Sequence, residues 1–326
     1  MKILIIGGTR FLGRALVEQI LPKKYELTLF NRGKSNPDVF SDVEQITGDR
    51  NTEIEKLGDR TWDVVIDTCG YLPKQVKKSV EYLKDKTNYY LFISTISVYE
   101  ETPEIGKTEE AEIIKLEDET TEDIPTHYGG LKALCEKEVL KVFGERAIIV
   151  RPGLIVGPHD PTHRFTYWPV RIRKGGQIIV PAGENPTQSI DVRDLAKFCL
   201  HLCETKQTGI YHATGETIDL LKLVNLIKPI VKFDGKIVPI GESWLLENKV
   251  NQWMELPLWL ADEGGKASMD INISKAKQAG LTLRPIEETI KDTLNWYDSI
   301  NGDEQKWPAG SIVEKEKELL ERYNSK

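Results

Sequence analysis

Lys2-Ile3-Leu4-Ile5-Ile6-Gly7-Gly8-Thr9-Arg10-Phe11-Leu12-Gly13 opens the chain and decides its fold. The branched apolar run suits a strand covered on both faces. The glycines after it suit a tight turn, and Phe11–Ile20 has the length and the polar face of a helix. Strand, glycine turn and helix, in that order, bring backbone N–H groups at a helix N-terminus up to a pyrophosphate. Gly7 makes the turn and Gly13 lets helix and strand pack closely, while Gly8, Thr9, Arg10, Phe11 and Leu12 complete the cradle.

Outward from that turn, short apolar runs alternate with longer amphipathic stretches, the pattern of βαβ units. The strands expected are Lys2–Ile6, Glu26–Phe30, Val43–Ile46, Asp63–Ile66, Tyr89–Ser94 and Ala147–Val150. Helices are expected over Phe11–Ile20, Pro73–Lys86 and His127–Phe143, the last ending at Gly144. The fold class is therefore α/β, a Rossmann-type doubly wound parallel sheet. After Arg151-Pro152 proline and glycine become frequent and aromatic residues appear in loop-like surroundings, with two short returns to a strand pattern at Gln188–Asp191 and Gly209–His212. This texture predicts a dinucleotide-binding domain of residues 1–152 plus about 188–214. A smaller, interleaved C-terminal substrate region takes about 153–187 plus 215–302, and a charged helix occupies 303–326, with Ile312, Leu319 and Leu320 on it.

The 326 residues bear a net charge of −7. An acidic chain lacks the broad positive field that non-specific nucleic-acid or anionic-membrane binding requires, so no nucleic-acid or membrane partner is expected. Residues Glu100–Thr126 hold 11 acids against 2 lysines and read as a solvated loop that repels polyanions. Cys69, Cys135, Cys199 and Cys203 form no CxxC pair and read as reduced, buried thiols. No signal peptide precedes the first strand, and the expected location is cytoplasmic.

Two further patterns point to chemistry. The second strand ends in Asn31-Arg32, where an acid would be expected if a ribose 2′-hydroxyl were bound. With Arg10 it offers two guanidinium groups to a 2′-phosphate, which favours NADP and leaves NAD as the alternative. Asp49 and Arg50, after the third strand, are assigned to the same cofactor, Asp49 as acceptor of the adenine amino group. His127-Tyr128-Gly129-Gly130-Leu131-Lys132 then puts Tyr128 and Lys132 on one helical face. A neighbouring ammonium and a cationic nicotinamide ring both favour phenolate, which predicts a lowered Tyr128 pKa. Hydroxyls of Ser94-Thr95-Ile96-Ser97 stand at the carboxyl end of a strand, where ligands bind in such folds.

The glycine turn, Ser94-Thr95-Ile96-Ser97-Val98-Tyr99, Tyr128-x-x-x-Lys132, Arg151-Pro152 with Gly157-Pro158, and Asp191-Val192-Arg193-Asp194 together resemble the extended short-chain dehydrogenase/reductases, in their NAD(P)-dependent epimerase/dehydratase branch. The resemblance runs from Met1 to about Tyr297. It implies that Tyr128 is the acid/base, that Lys132 binds the nicotinamide ribose, and that Thr95 hydrogen-bonds the reacting oxygen. Pro152 would pack near the nicotinamide, and Cys69-Gly70 would line the cofactor. Arg10 departs from the middle glycine of the family's GxxGxxG, and Asp67-Thr68-Cys69-Gly70 from its small-residue loop. In both respects the chain is similar to an atypical subgroup that includes plastid RNA-binding proteins.

For substrate, Gly157–Trp168 offers imidazoles, a guanidinium and three aromatic rings, suited to a ring-shaped or anionic small molecule. Ser97, His159, Arg164 and Tyr167 are the substrate candidates, set against a reading in which the aromatics are the second region's core. His159 and His163 lack a helix and a third ligand, so no metal is expected. The function read is an NAD(P)-dependent oxidoreductase or epimerase acting on a small hydroxylated substrate, with nucleotide sugars the first class to test. A cofactor-sensing or RNA-binding protein on the same fold is the alternative, and the helix His127–Phe143 offers a surface for a homodimer.

Overall fold

The computed structural model describes residues 1–310 and 313–325. The chain begins β1 (Lys2–Ile6), α1 (Phe11–Ile20), β2 (Glu26–Asn31), β3 (Glu44–Thr47), β4 (Trp62–Asp67), α2 (Pro73–Leu83), β5 (Thr87–Ile93), α3 (Ile124–Phe143) and β6 (Ala147–Pro152). It continues β7 (Leu154–Val156), α4 (Arg164–Arg173), β8 (Gln177–Ala182), β9 (Pro186–Asp191), α5 (Val192–Thr205), β10 (Gly209–Ala213), β11 (Thr217–Asp219), α6 (Leu220–Val231) and β12 (Lys236–Gly241).

Among the described residues, seven strands form one sheet in the order β10-β6-β5-β4-β1-β2-β3. Every neighbouring pair in it is parallel. This is a Rossmann-like α/β fold. Its strands show why the apolar runs are continuous: Ile3, Ile5, Leu29, Val64, Ile66 and Leu91 face one core with α1 and α5. The alternate residues Leu4, Ile6, Phe30, Val65, Tyr90 and Phe92 face a second with α2 and α3. A strand of period two with a helix layer on each side can have no polar face. Helix α1 buries Leu12, Ala15, Leu16, Val17 and Ile20, the stripe expected of an amphipathic helix.

A third core belongs to the C-terminal half, around Phe165, Trp168, Ile178, Val180, Leu223 and Trp259. Gln188–Asp191, expected to return to the large sheet, lies instead in β9, which pairs with β7 and β11 in a separate three-stranded sheet because its edges are taken by those short strands, and β12 pairs with β8. Gly209–His212 lies in β10, at the edge of the large sheet. The terminal helix, expected over 303–326, spans only Val313–Asn324, since Pro308 and Gly310 interrupt the stretch before it, and it buries Leu319 and Leu320. Glu316 on it accepts from Arg171 Nε at 2.6 Å and from Ile179 N at 2.9 Å, so a buried ion pair anchors it as well. Ser311, Ile312 and Lys326 lie outside the described residues.

Two further expectations change. Helix α3 starts at Ile124, not His127; Asp123 caps it, and His127 interrupts it with φ −118°, so the regular helix resumes at Tyr128. The acid-rich stretch is also more than a solvated loop. Lys107 is buried and donates to Glu100 O at 2.5 Å, Ile114 N donates to Val98 O, and Leu116 covers Gly130 of α3. Most of its acids face outward, but Glu109 turns inward and its carboxylate accepts from His212 N at 3.0 Å, so the stretch is pinned to β10 as well as to α3. No described helix is long and apolar enough to cross a membrane.

Candidate active site

The glycine turn has the geometry its composition demands. Gly7 and Gly8 have φ of +114° and +103°, and Gly7 N donates to Phe30 O at 2.9 Å. A Cβ on Gly13 would lie 2.6 Å from Gly8 N, backbone that cannot move aside. Arg10 is the N-cap of α1 but supplies no side-chain cap, and no acid stands in the first turn. The N–H groups there point away from the helix with its positive dipole end behind them, an anion cradle. Phe11 takes φ +38°, a left-handed conformation costly for a bulky residue, and the strain falls in this turn. Asn36 Nδ2 donates to Thr9 O at 2.9 Å and steadies the loop.

At the end of β2, Asn31 Oδ1 accepts from Gly33 N at 2.8 Å, and Arg32 is exposed, as Arg10 is. Asp49 Oδ1 accepts from Asn51 N at 2.8 Å. Arg50 has a different place from the one its neighbourhood suggests. Its guanidinium is buried, forked onto both oxygens of Asp67 at 2.8 and 2.6 Å, and also donates to Ser79 Oγ. Tyr90 donates to the same carboxylate at 2.8 Å. The guanidinium beside it holds the Asp67 carboxyl below its usual range against the opposing effect of burial. With its fork committed to Asp67 and Ser79, the Arg50 side chain braces the sheet instead of reaching a ligand.

The chemistry-bearing residues gather at the carboxyl edge of β5. Thr95 lies two residues past the strand and caps the turn Ile96–Val98; its Oγ1 accepts from Ser97 N at 3.1 Å and lies 3.2 Å from Ser97 Oγ. Ser97 O lies so close to Gly129 that a Cβ there would sit 1.9 Å from it, and Gly130 has no more room beneath Leu116. The two glycines after Tyr128 thus let α3 approach the Thr95 turn. Lys132 is buried and donates to Gly70 O at 2.6 Å and to Ile93 O at 2.7 Å. Burial lowers its pKa to about 8. Pro152 ends β6 opposite Ala213 of β10. Cys69, alone among the four cysteines in being only half-buried, reaches Ile6 O with its Sγ at 3.5 Å.

Tyr128 departs from expectation. Its pKa is raised to about 12, because burial and the nearby Tyr71 phenol outweigh the favourable effect of Thr95. The ammonium of Lys132 is turned onto two carbonyls and does not offset that burial. Two neighbours went unread in the sequence. Tyr71 directly follows Cys69-Gly70, and its ring lies 5.6 Å from Lys132 Nζ. Glu136, one turn beyond Lys132, pairs with Arg151 at 2.9 and 2.6 Å; its i, i+4 spacing from Lys132 was the available signal. Arg151 Nη1 also donates to Tyr99 OH, and Tyr99 lies 2.5 Å from His212 Nε2. Since His212 Nδ1 faces Asn272 O at 2.8 Å, Nδ1 holds the proton and Nε2 accepts from Tyr99.

The substrate candidates divide. Ser97 is exposed beside Thr95. Tyr167, expected at a pocket wall, is instead only 2% exposed and packs edge-on to Trp168 in the third core. His159 lies tilted on Trp296, and His163 is stacked between Trp296 and Trp307. Arg164 sits over Trp253, 5.2 Å from its ring centre. Most of the aromatic segment therefore builds the second lobe, because helix α4 turns its rings inward.

The family model of NAD dependent epimerases/dehydratases matches residues 3–213. The chain is 28% identical over 236 residues to the chloroplast stem-loop binding protein of 41 kDa b of Arabidopsis thaliana, a match covering 66% of this chain and 59% of that protein. It thus spans less than two thirds of that relative's length. Among solved structures, UDP-glucuronic acid 4-epimerase from Bacillus cereus in complex with NAD superposes with a TM-score of 0.67 at 18% identity, over 92% of this chain and 99% of that one. The enzyme WbmG of Bordetella bronchiseptica, in complex with NAD and UDP, gives 0.70 at 13% identity, over 96% and 99%. At these identities the likeness is one of fold.

Proposed function

The chain belongs to the NAD dependent epimerase/dehydratase family, and from that premise we propose that it is an NAD(P)-dependent enzyme that oxidises or reduces a carbon–oxygen centre of a small substrate. One observation carries this reading: Tyr128, Lys132 and Thr95 gather at the same carboxyl edge of the sheet as the glycine turn.

The residues fit a dinucleotide. The turn from Gly7 to Gly13 has no room for side chains on Gly7 or Gly13, and the start of α1 is uncapped. Its backbone would hold the pyrophosphate, Asp49 the adenine, and Asn31, Arg32 and Arg10 the adenosine ribose or its 2′-phosphate. Cys69, Gly70 and Pro152 would flank the nicotinamide end. Lys132 has three donors and spends two on carbonyls, which leaves one for a ribose hydroxyl. When bound, the nicotinamide supplies hydride transfer.

Tyr128 is a protonated phenol at neutral pH, poised to donate to a carbonyl oxygen during reduction and to recover that proton during oxidation. A cationic ring nearby would draw its raised pKa back toward the working range. Thr95 holds the same oxygen by a hydrogen bond. The two exposed guanidinium groups, with no acid at the end of β2, favour NADP over NAD. For substrate, nucleotide sugars are the first class, a choice supported by the activity named for the Bacillus cereus neighbour and by the UDP bound to WbmG.

The test begins with mass spectrometry of any nucleotide that co-purifies, then a panel of nucleotide sugars with NAD and NADP. Turnover that falls roughly 10²- to 10⁴-fold in Tyr128→Phe, with cofactor affinity kept, supports the reading. Full activity in that variant removes it. RNA binding is the second reading, favoured by the name of the Arabidopsis relative and opposed by the acid-rich stretch packed on α3. Tight, salt-sensitive retention of RNA on filters, unaffected by Tyr128→Phe, would decide for it.

A further inference from the structure

The loop between β4 and α2 touches both halves of the site. Thr68 Oγ1 donates to Ile6 O at 2.9 Å, and a Cβ on Gly7 would fall 2.3 Å from that Oγ1, so the loop is pressed on the glycine turn. At its other end Gly70 O accepts from Lys132 Nζ at 2.6 Å. Tyr71 comes next. Its ring lies 5.6 Å from Nζ, and it remains 43% exposed, outside all three cores. Its hydroxyl end is the enclosed part: burial raises the phenol's pKa, with Arg10 of the glycine turn opposing, and the phenol in turn raises that of Tyr128. The ring therefore stands beside the Lys132 ammonium, on the loop that joins the glycine turn to it.

A ring that stays 43% exposed and outside all three cores keeps part of its surface free for a ligand. An aromatic ligand, above all a cationic one, gains from lying on its open face. We propose that Tyr71 is a cofactor-contact residue whose ring stacks on the nicotinamide and holds it beside Tyr128. The inference rests on the dinucleotide reading above and adds a residue to it. It also gives the departure Asp67-Thr68-Cys69-Gly70 a purpose: a Cβ on Gly70 would meet Val76 and Phe92 at 2.6 and 2.7 Å, so the glycine lets the loop lie close enough to bring Tyr71 to Lys132.

Calorimetric titration of the full chain with NAD⁺ and with ADP-ribose, which has no nicotinamide, tests it. Tyr71→Ala should weaken NAD⁺ by roughly two- to tenfold, the range of an aromatic stacking contact, and leave ADP-ribose within about twofold. Tyr71→Phe should bind both as the wild type does. Equal losses for the two ligands in Tyr71→Ala would make Tyr71 a prop of the loop and overturn the proposal, as would no loss for either. A loss in Tyr71→Phe as large as in Tyr71→Ala would assign the contact to the hydroxyl and overturn the stacking. A wild type that takes up neither of these ligands, nor NADP⁺, overturns the dinucleotide reading and the inference with it; ADP-ribose binding without any nicotinamide discrimination overturns the inference alone.

Discussion

Lys132 Nζ donates to the carbonyl oxygen of Gly70 at 2.6 Å, tying the middle of α3 to the loop that borders the glycine turn. Helix and loop are 62 residues apart in sequence, and this bond, with that to Ile93 O, sets the position of the ammonium.

The same burial makes Lys132 a term in stability. Its pKa is lowered from the ordinary 10.5 to about 8. Between these values the unfolded chain holds more protons than the folded one, so stability rises with pH across that window. Lys132→Met should abolish this rise, worth on the order of 3 kcal/mol at most. Urea midpoints of the two proteins from pH 7 to 11 measure it; parallel curves would mean that the ammonium is not desolvated.

Gly13→Ala should separate α1 from the turn. The added methyl meets Gly8 N and Cα at 2.6 and 2.8 Å, backbone on a residue that is itself confined beneath Leu29. The expected cost is about 1–3 kcal/mol in folding and at least a tenfold loss of dinucleotide affinity. Thermal melts with and without NAD would show both; unchanged affinity would move the pyrophosphate elsewhere.

Arg10 and Arg32 are exposed at one end of the proposed cofactor site. Replacing both with Ala should weaken NADP by about tenfold or more while NAD changes by less than about threefold, since only the former carries the 2′-phosphate. Equal losses would remove the basis for a preference.

Arg151 and Glu136 are both buried, joined by two hydrogen bonds. Arg151→Met leaves the Glu136 carboxylate without its partner and should cost about 3–5 kcal/mol. Adding Glu136→Leu should recover most of that loss, because an apolar pair needs no desolvation of charge. Chemical denaturation of the single and double variants reads the difference; a double variant as unstable as the single one would show that Tyr99 and His212, which share the network, depend on the guanidinium itself.

How far the site could be read from sequence differs residue by residue. Gly7, Gly8 and Gly13 were legible because a local turn and a close helix–strand contact admit no other residue. Tyr128 and Lys132 were legible because the helical period alone puts them on one face. Arg50 was not: its neighbours suggest a ligand, but its partners Asp67 and Ser79 come from other elements. Tyr167 was misplaced for a related reason, since the inward face of α4 is set by the packing of Trp168 and Phe165 in the third core.

By itself the sequence determined the parallel sheet, its glycine turn and the Tyr128–Lys132 pair, all products of short-range periodicity and of residues with one conformational use. Tertiary structure alone decided where the charges act. The Lys132 ammonium bonds carbonyls from two distant elements, the Tyr128 phenol is raised by burial, and the Tyr71 ring lies 5.6 Å from that ammonium. Desolvation and long-range contact depend on what folds over a residue, and the residue's own neighbours in the chain do not encode that.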